Sequence, residues 1–169
     1  MSAVTNSYPK GAKRVSIEND IAFFERVPTL RLLGRDALRV LAIGAESRYV
    51  DDGEVLFYAG DPADGGYIIQ EGSFRLKPSI PSDAEEITAA PGMLLGELAL
   101  LAETMRPATA IAREPSAVIR ISRSLFLKML ESYPDAASKL RDQLVTRASQ
   151  AVGDFGSVRA RLDTSEAPK

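Results

Sequence analysis

The chain contains neither histidine nor cysteine, and the two absences close off most routes by which 169 residues could perform chemistry. Nucleophile–histidine pairs, thiolate nucleophiles, zinc sites built on His or Cys, and the two-His-one-carboxylate iron site each lose a required member. No metal site is therefore expected. Paired-carboxylate hydrolysis and lysine chemistry stay open. Without cysteine no disulfide forms, which suits a reducing cytoplasm. Also missing is any apolar run near the about 18 residues that cross a bilayer, since Gly92, Gly96 and Glu97 break up the greasiest region, around residues 93–101. The first fourteen residues lack the apolar core of a secretory signal. The expectation is a cytoplasmic protein without a membrane span. Charge of one sign is scarce too: 21 Lys plus Arg against 23 Asp plus Glu leave a formal net charge of −2. With no global pull towards nucleic acid, any anion site has to be local.

What is present fits one compact domain with short extensions. Residues 1–15 are polar and carry Asn6, Pro9 and Gly11 beside the basic Lys10, Lys13 and Arg14, and they read as a flexible tail. Ser16 is placed to cap a helix through Ile21, Phe23, Phe24 and Val27, with Glu18 and Asp20 in its first turn. A second helix is expected over 35–45, with Ala37, Leu38, Leu41 and Ala45 on one side. From 48 to 122 the pattern changes to short strands between turn residues: 55–57, 67–69, 73–77, 87–90, 108–112 and 117–121. Residues 77–86, rich in Pro, Ser and acid, suit an exposed hairpin tip. Such spacing with Gly-rich turns predicts a barrel or jelly roll. Helix returns after Ser122. Pro134 then opens a long helix whose Ala137, Leu140, Leu144, Ala148, Ala151 and Phe155 recur at three and four residues. That seam would pack on the barrel or pair with a second copy. The expected fold is mainly β with flanking helices: a double-stranded β-helix (jelly-roll) barrel with N-terminal helices and a long C-terminal helix. Its divisions are tail 1–15, β-roll domain with N-terminal helices 16–133, dimerisation or lid helix 134–156, and tail 157–169.

The segment 91–112 carries the functional signal. A short helix beginning near Gly96-Glu97 offers unpaired amides and positive potential to an anion. Gly96 allows close backbone approach there. Arg106, ten residues on and expected at a solvent-reachable loop end, would swing back to contact the same anion. Glu97 lies among apolar residues, where an unpaired carboxylate is expensive, so it calls for a sugar hydroxyl or Arg106 as partner.

Gly96-Glu97-Leu98-Ala99-Leu100-Leu101 followed by Arg106-Pro107-Ala108-Thr109-Ala110 resembles the phosphate-binding cassette of cyclic-nucleotide-binding domains. That family includes the bacterial catabolite activator protein, protein kinase A regulatory subunits and cyclic-nucleotide-gated channels. The resemblance extends to Gly53-Glu54-Val55-Leu56, Gly60-Asp61, Tyr67-Ile68-Ile69 and Gly72, and covers residues 20–150. It implies that Arg106 holds the exocyclic phosphate and that Glu97 accepts the ribose 2′-hydroxyl. Gly96, Leu98 and Ala99 would line phosphate and sugar through their backbone, and Leu76 would lie against the purine. The last helix closes over the base in related proteins, which nominates Thr146, Ser149 and Gln150. Before Ala108, the cassette has Pro107 where many ligand-binding members carry Ala, Ser or Thr. A proline has no N–H. One hydrogen bond to a charged group is worth about 1.5–3 kcal/mol, or roughly one to two decades of affinity. Weakened rather than abolished binding follows, with cAMP ahead of cGMP because Pro107 also lacks a hydroxyl.

The implied function is a cyclic-nucleotide sensing module, not an enzyme, with no cofactor and cAMP as ligand. It would signal through a protein partner, a homodimer mate or its last helix. Residues 135–169 leave too little chain for a winged helix-turn-helix beside the long helix, so direct DNA binding is not expected. The alternative is a degenerate copy of the fold acting as a ligand-free dimerisation or interaction protein. A cupin-like enzyme would need the histidines this chain lacks.

Overall fold

A computed structural model describes residues 16–80 and 86–163, with side-chain surroundings through residue 150 except at 148. The N-terminal tail, most of the hairpin tip, the seam positions Ala148, Ala151 and Phe155, and the last six residues lie outside that description. Helix α1 (Ile17–Phe24) starts where expected, with the Ser16 hydroxyl accepting from the Asn19 amide. A 3-10 turn (Arg31–Leu33) leads into α2 (Arg35–Gly44). Ten strands follow in order: β1 (Glu46–Val50), β2 (Val55–Phe57), β3 (Pro62–Ala63), β4 (Gly65–Glu71), β5 (Phe74–Pro78), β6 (Ile87–Ala89), β7 (Leu94–Leu95), β8 (Thr104–Met105), β9 (Ala108–Ala112) and β10 (Ser116–Ser122). Helix α3 (Arg123–Ser132), capped by Ser122, and α4 (Pro134–Asp163) complete the chain.

The strands form two four-stranded antiparallel sheets, β1-β10-β4-β7 and β2-β9-β5-β6, with a two-stranded β3-β8 ladder beside them. This is the mainly antiparallel jelly roll with flanking helices that the strand spacing predicts. Two apolar clusters hold it together. Between the sheets lie Val50, Leu56, Tyr67, Ile69, Phe74, Leu95, Ala110 and Val118. The helices pack on the other face of the first sheet, burying Ile21, Phe24, Leu38, Leu41, Phe126, Met129 and Leu140 against Ile68, Ile119 and Ile121. Strands β4 and β10 are therefore covered on both faces, which is why Tyr67-Ile68-Ile69 and 117–119 are continuous apolar runs rather than alternating ones. On β5, Phe74 is buried and Leu76 half-buried, while Arg75 and Lys77 face out, the alternation expected.

Several elements differ from expectation. Strand β1 and the two-residue β3 and β8 lie outside the expected strands, and segments as short as β3 and β8 carry no periodicity to read. Helix α1 ends at Phe24, short of Val27. Helix α4 runs to Asp163, past the end expected near 156. A helical glycine is only about 1 kcal/mol worse than alanine, and Gly156 alone does not stop the helix. The proximal part of the seam faces the fold: Leu140 is buried and Leu144 packs against the helical cluster.

Phe126 on α3 is 1% exposed, whereas its neighbour Leu127 is 39% exposed. Phe126→Ala should lower unfolding stability by about 3–5 kcal/mol, and Leu127→Ala by under about 1 kcal/mol. Urea denaturation of the two variants checks this.

Candidate functional site

The cassette begins where β7 leaves the first sheet. Tyr67 is paired with Leu95 in that antiparallel ladder, so Gly96 emerges beside the start of β4. Gly96 has φ +82°, in the left-handed region. A Cβ at this position would collide with Nη1 of Arg106 and lie 3.2 Å from the Gly65 carbonyl. The positive φ calls for glycine, and the crowding by Arg106 and the Gly65 carbonyl adds to that preference. After Gly96 the chain makes a single 3-10 turn, Leu98–Leu100, in place of the short helix expected from 96–97. Three residues sum to little macrodipole. What the turn offers an anion is backbone donors: the Glu97 and Leu98 amides donate to no backbone carbonyl among the described residues. Ala99 and Leu100 are buried beneath it, while the Leu98 side chain is 67% exposed and contributes only its backbone to this region.

Arg106 is where the structure departs most from the sequence reading. Far from a solvent-reachable loop end, it is 5% exposed. Its guanidinium carbon sits 4.5 Å from the centroid of the Phe57 ring and 5.4 Å from that of Tyr67. Those rings stack on each other, with centroids 5.9 Å apart. The backbone is pinned in both directions: Arg106 N–H donates to the Asp61 carbonyl and Gly60 N–H donates to the Arg106 carbonyl, each at 2.8 Å. Yet Nη1 has no hydrogen-bond partner among the described residues. Burial pushes this guanidinium below the ordinary arginine range, opposed by Tyr67, Asp64 and Asp61. Asp64 itself is engaged elsewhere, accepting from Arg120 at 2.6 Å. The result is a buried cation flanked by aromatic faces, with one nitrogen vacant and aimed at the Gly96 backbone.

Glu97 is not paired with Arg106, one of the two partners expected for it. Its Oε1 accepts from the Thr29 hydroxyl at 2.7 Å and from Arg147 Nη1 at 2.8 Å. Thr29 precedes α2 and is buried; Arg147 comes from α4. A groove of about 530 Å³ opens here, walled by Phe23, Val27, Thr29, Met93, Glu97 and Arg147 among others. Arg106 does not line it. The two charged residues of the cassette thus sit in adjoining but different surroundings. Leu76 packs against the inter-sheet cluster and pairs with Ala110 on β9. Ala108 opens β9, half-buried, and Pro107 is exposed. Thr146, Ser149 and Gln150 are exposed on α4, and none of them lines the groove. The Thr146 hydroxyl donates back to its own helix at the Asp142 carbonyl, 2.9 Å away. The residue of α4 that touches the cassette is Arg147. Sequence reasoning missed it together with Thr29, Phe57 and Tyr67. The ring pair has a sequence trace in the aromatic ends of two strands; Thr29 and Arg147 lie 68 and 50 residues from Glu97 and leave none.

Residues 47–133 match the family model of the cyclic nucleotide-binding domain, and the chain belongs to that family. The cyclic AMP receptor protein of Thermus thermophilus is 31% identical over 108 residues, 63% of this chain and 50% of that protein. A cyclic nucleotide-binding-like protein from Brucella abortus is 39% identical, with a TM-score of 0.58, over 67% of this chain and 98% of that one. The regulatory domain of Toxoplasma gondii PKA, solved with cAMP, is 26% identical with a TM-score of 0.63 over 79% of this chain and 50% of that one. The chain spans 8% and 18% of the length of the first curated relatives it matches, a fungal lysophospholipase and a mycobacterial NTE family protein. No helix among the described residues is long and apolar enough to cross a membrane.

Gly92 and Gly96 both have positive φ, but a Cβ on Gly92 meets open space. Gly92→Ala should therefore show conformational strain alone, about 1–2 kcal/mol. Gly96→Ala should exceed it, and the excess should shrink in an Arg106→Ala background. A double-mutant cycle by urea denaturation measures that coupling.

Proposed function

We propose that this chain binds a cyclic nucleoside monophosphate, cAMP ahead of cGMP, and acts as a sensor rather than a catalyst. The observation that carries the reading is the vacant Nη1 of the buried Arg106. A guanidinium removed from water without an anion is unfavourable by several kcal/mol, and a phosphate oxygen would both neutralise it and fill the empty donor. The unengaged amides of Glu97 and Leu98 add further donors beside Gly96. Leu76 and Ala108 would wall the purine and phosphate, and Ala99 would support the turn. Pro107, exposed and without N–H, removes one phosphate contact. Glu97 is to take the ribose hydroxyl through Oε2, or through Oε1 by displacing Arg147. On this reading residues 16–133 form the binding unit and 134–156 the output helix. Thr146, Ser149 and Gln150 reach a base only if α4 moves. We place the protein in the cytoplasm, working with a second copy or a protein partner and without contacting DNA.

The second reading, a ligand-free interaction module, is favoured by one feature: Thr29 and Arg147 already satisfy Glu97. Arg106→Met separates the two. If the arginine is held for a ligand, replacing an uncompensated buried charge by an apolar chain of similar length leaves the ligand-free protein as stable or more stable. Calorimetric binding of cAMP is then lost. If the arginine is structural, Tm falls and no binding exists to lose. A folded wild-type protein showing no heat with millimolar cAMP or cGMP ends the first reading. In the same assay, Pro107→Ala should tighten cAMP binding by about ten-fold, one charged hydrogen bond's worth; an unchanged Kd would remove this account of the proline.

A further inference from the structure

Arg123, the first residue of α3, is engaged in a way that neither helix capping nor ion pairing explains. Its Nη1 donates to three carbonyls, those of Ala63 at 3.0 Å, Ala99 at 3.3 Å and Ala102 at 3.0 Å. Ala99 and Ala102 lie at the end of the cassette turn, where carbonyls lack intrahelical partners and carry partial negative charge. Ala63 belongs to β3, and the Arg123 amide donates to the adjacent Asp64 carbonyl at 2.7 Å. The segment 60–66 is the common reference. It pins the Arg106 backbone through Gly60 and Asp61, and its Gly65 carbonyl backs Gly96. One half of the anion site, Arg106, is bonded to this segment directly. The other half, the Gly96–Ala102 turn, is tied to it by the Arg123 side chain.

We propose that Arg123 is a positioning residue: it sets the spacing between the cassette turn and the Arg106 guanidinium, and it carries a ligand-driven shift of that turn into α3. The proposal rests on the cyclic-nucleotide reading for its second half only. Since the same nitrogen that holds Ala99 and Ala102 is rooted in the first turn of α3, the turn cannot move without straining or dragging that helix. By reciprocity, whatever moves α3 alters the affinity of the site by the same factor. A lysine supplies the charge, but its ammonium rides on a flexible stem without the planar, rigid head that fixes Nη1 among these carbonyls.

The test is amide hydrogen exchange on the full chain, with and without saturating cAMP, for wild type, Arg123→Gln and Arg123→Lys, alongside Tm and calorimetric Kd. In the ligand-free state, Arg123→Gln should raise exchange at Ala99–Ala102 by about ten-fold or more, with β4 and β10 unchanged. The cAMP Kd should weaken by about ten-fold, and the ligand-induced change in α3 exchange should disappear. Arg123→Lys should recover Tm but not the α3 response. The proposal is overturned if Arg123→Gln binds cAMP with the wild-type Kd and relays it to α3 as before. It is also overturned if exchange rises uniformly across the barrel, the mark of a purely structural residue. If the wild type ignores cAMP yet Ala99–Ala102 respond to Arg123→Gln, the ligand assignment fails and the positioning role stands.

Discussion

A guanidinium buried beside aromatic rings, with a nitrogen left vacant, is the constraint around which the barrel is arranged. Desolvation opposes its charge, and no carboxylate among the described residues pairs with it. Attraction to the faces of Phe57 and Tyr67 recovers part of that penalty, since partly desolvated cation–π contacts are worth about 1–2 kcal/mol. Two short backbone hydrogen bonds to residues 60–61 fix where the side chain starts. Gly96 clears the space into which it points. The space kept clear at Gly96 is explained by the Arg106 side chain reaching into it, whereas the positive φ there is a demand of the backbone itself.

The helices matter to the site because of where they are packed. Burial of β4 and β10 on both faces puts α1, α2, α3 and α4 on the side of the first sheet from which the cassette leaves. Thr29, Arg123 and Arg147 therefore converge on one turn of backbone from three different parts of the chain. Glu97 is gripped at the start of the turn and Ala99 and Ala102 at its end. The turn is thus the junction between the first sheet and the helices packed on it, and on the proposed reading it joins the part that recognises to the part that responds.

The sequence was legible where physics acts locally. Ser16 and Ser122 announced helix starts because a hydroxyl can satisfy an amide three residues on. The alternation from Phe74 to Lys77 announced its strand because a pleat has period two. The cassette was legible as a resemblance, and Gly96 and Arg106 do meet. What could not be read was depth. Whether Arg106 is exposed depends on Phe57 and Tyr67, which are distant in sequence and brought near by β2 and β4. Nothing in the order of residues says that an arginine after Met105 turns inward. The partners of Glu97 were illegible for the same reason. The sequence does not distinguish Arg147 from Thr146, Ser149 and Gln150, because helical phase relative to a distant turn depends on how α4 docks, which Leu140 and Leu144 decide.

The strengths of these contacts limit what a ligand could do to α4. The Arg147–Glu97 pair is half-exposed, with side chains 44% and 30% accessible, and such pairs contribute about 1 kcal/mol or less. A ribose hydroxyl competing for Glu97 can therefore release only that much. Burial of the Leu140 side chain alone is worth about 1.5–3 kcal/mol, and Ala136 and Leu144 add to it. Losing Arg147 cannot undock the beginning of α4. On the proposed reading, the response available at Glu97 is a pivot of the helix about its packed Pro134–Leu140 end, not its detachment. On the same reading, a larger displacement has to come through α3 and the three carbonyls held by Arg123, a connection with more contacts than the single Arg147–Glu97 pair.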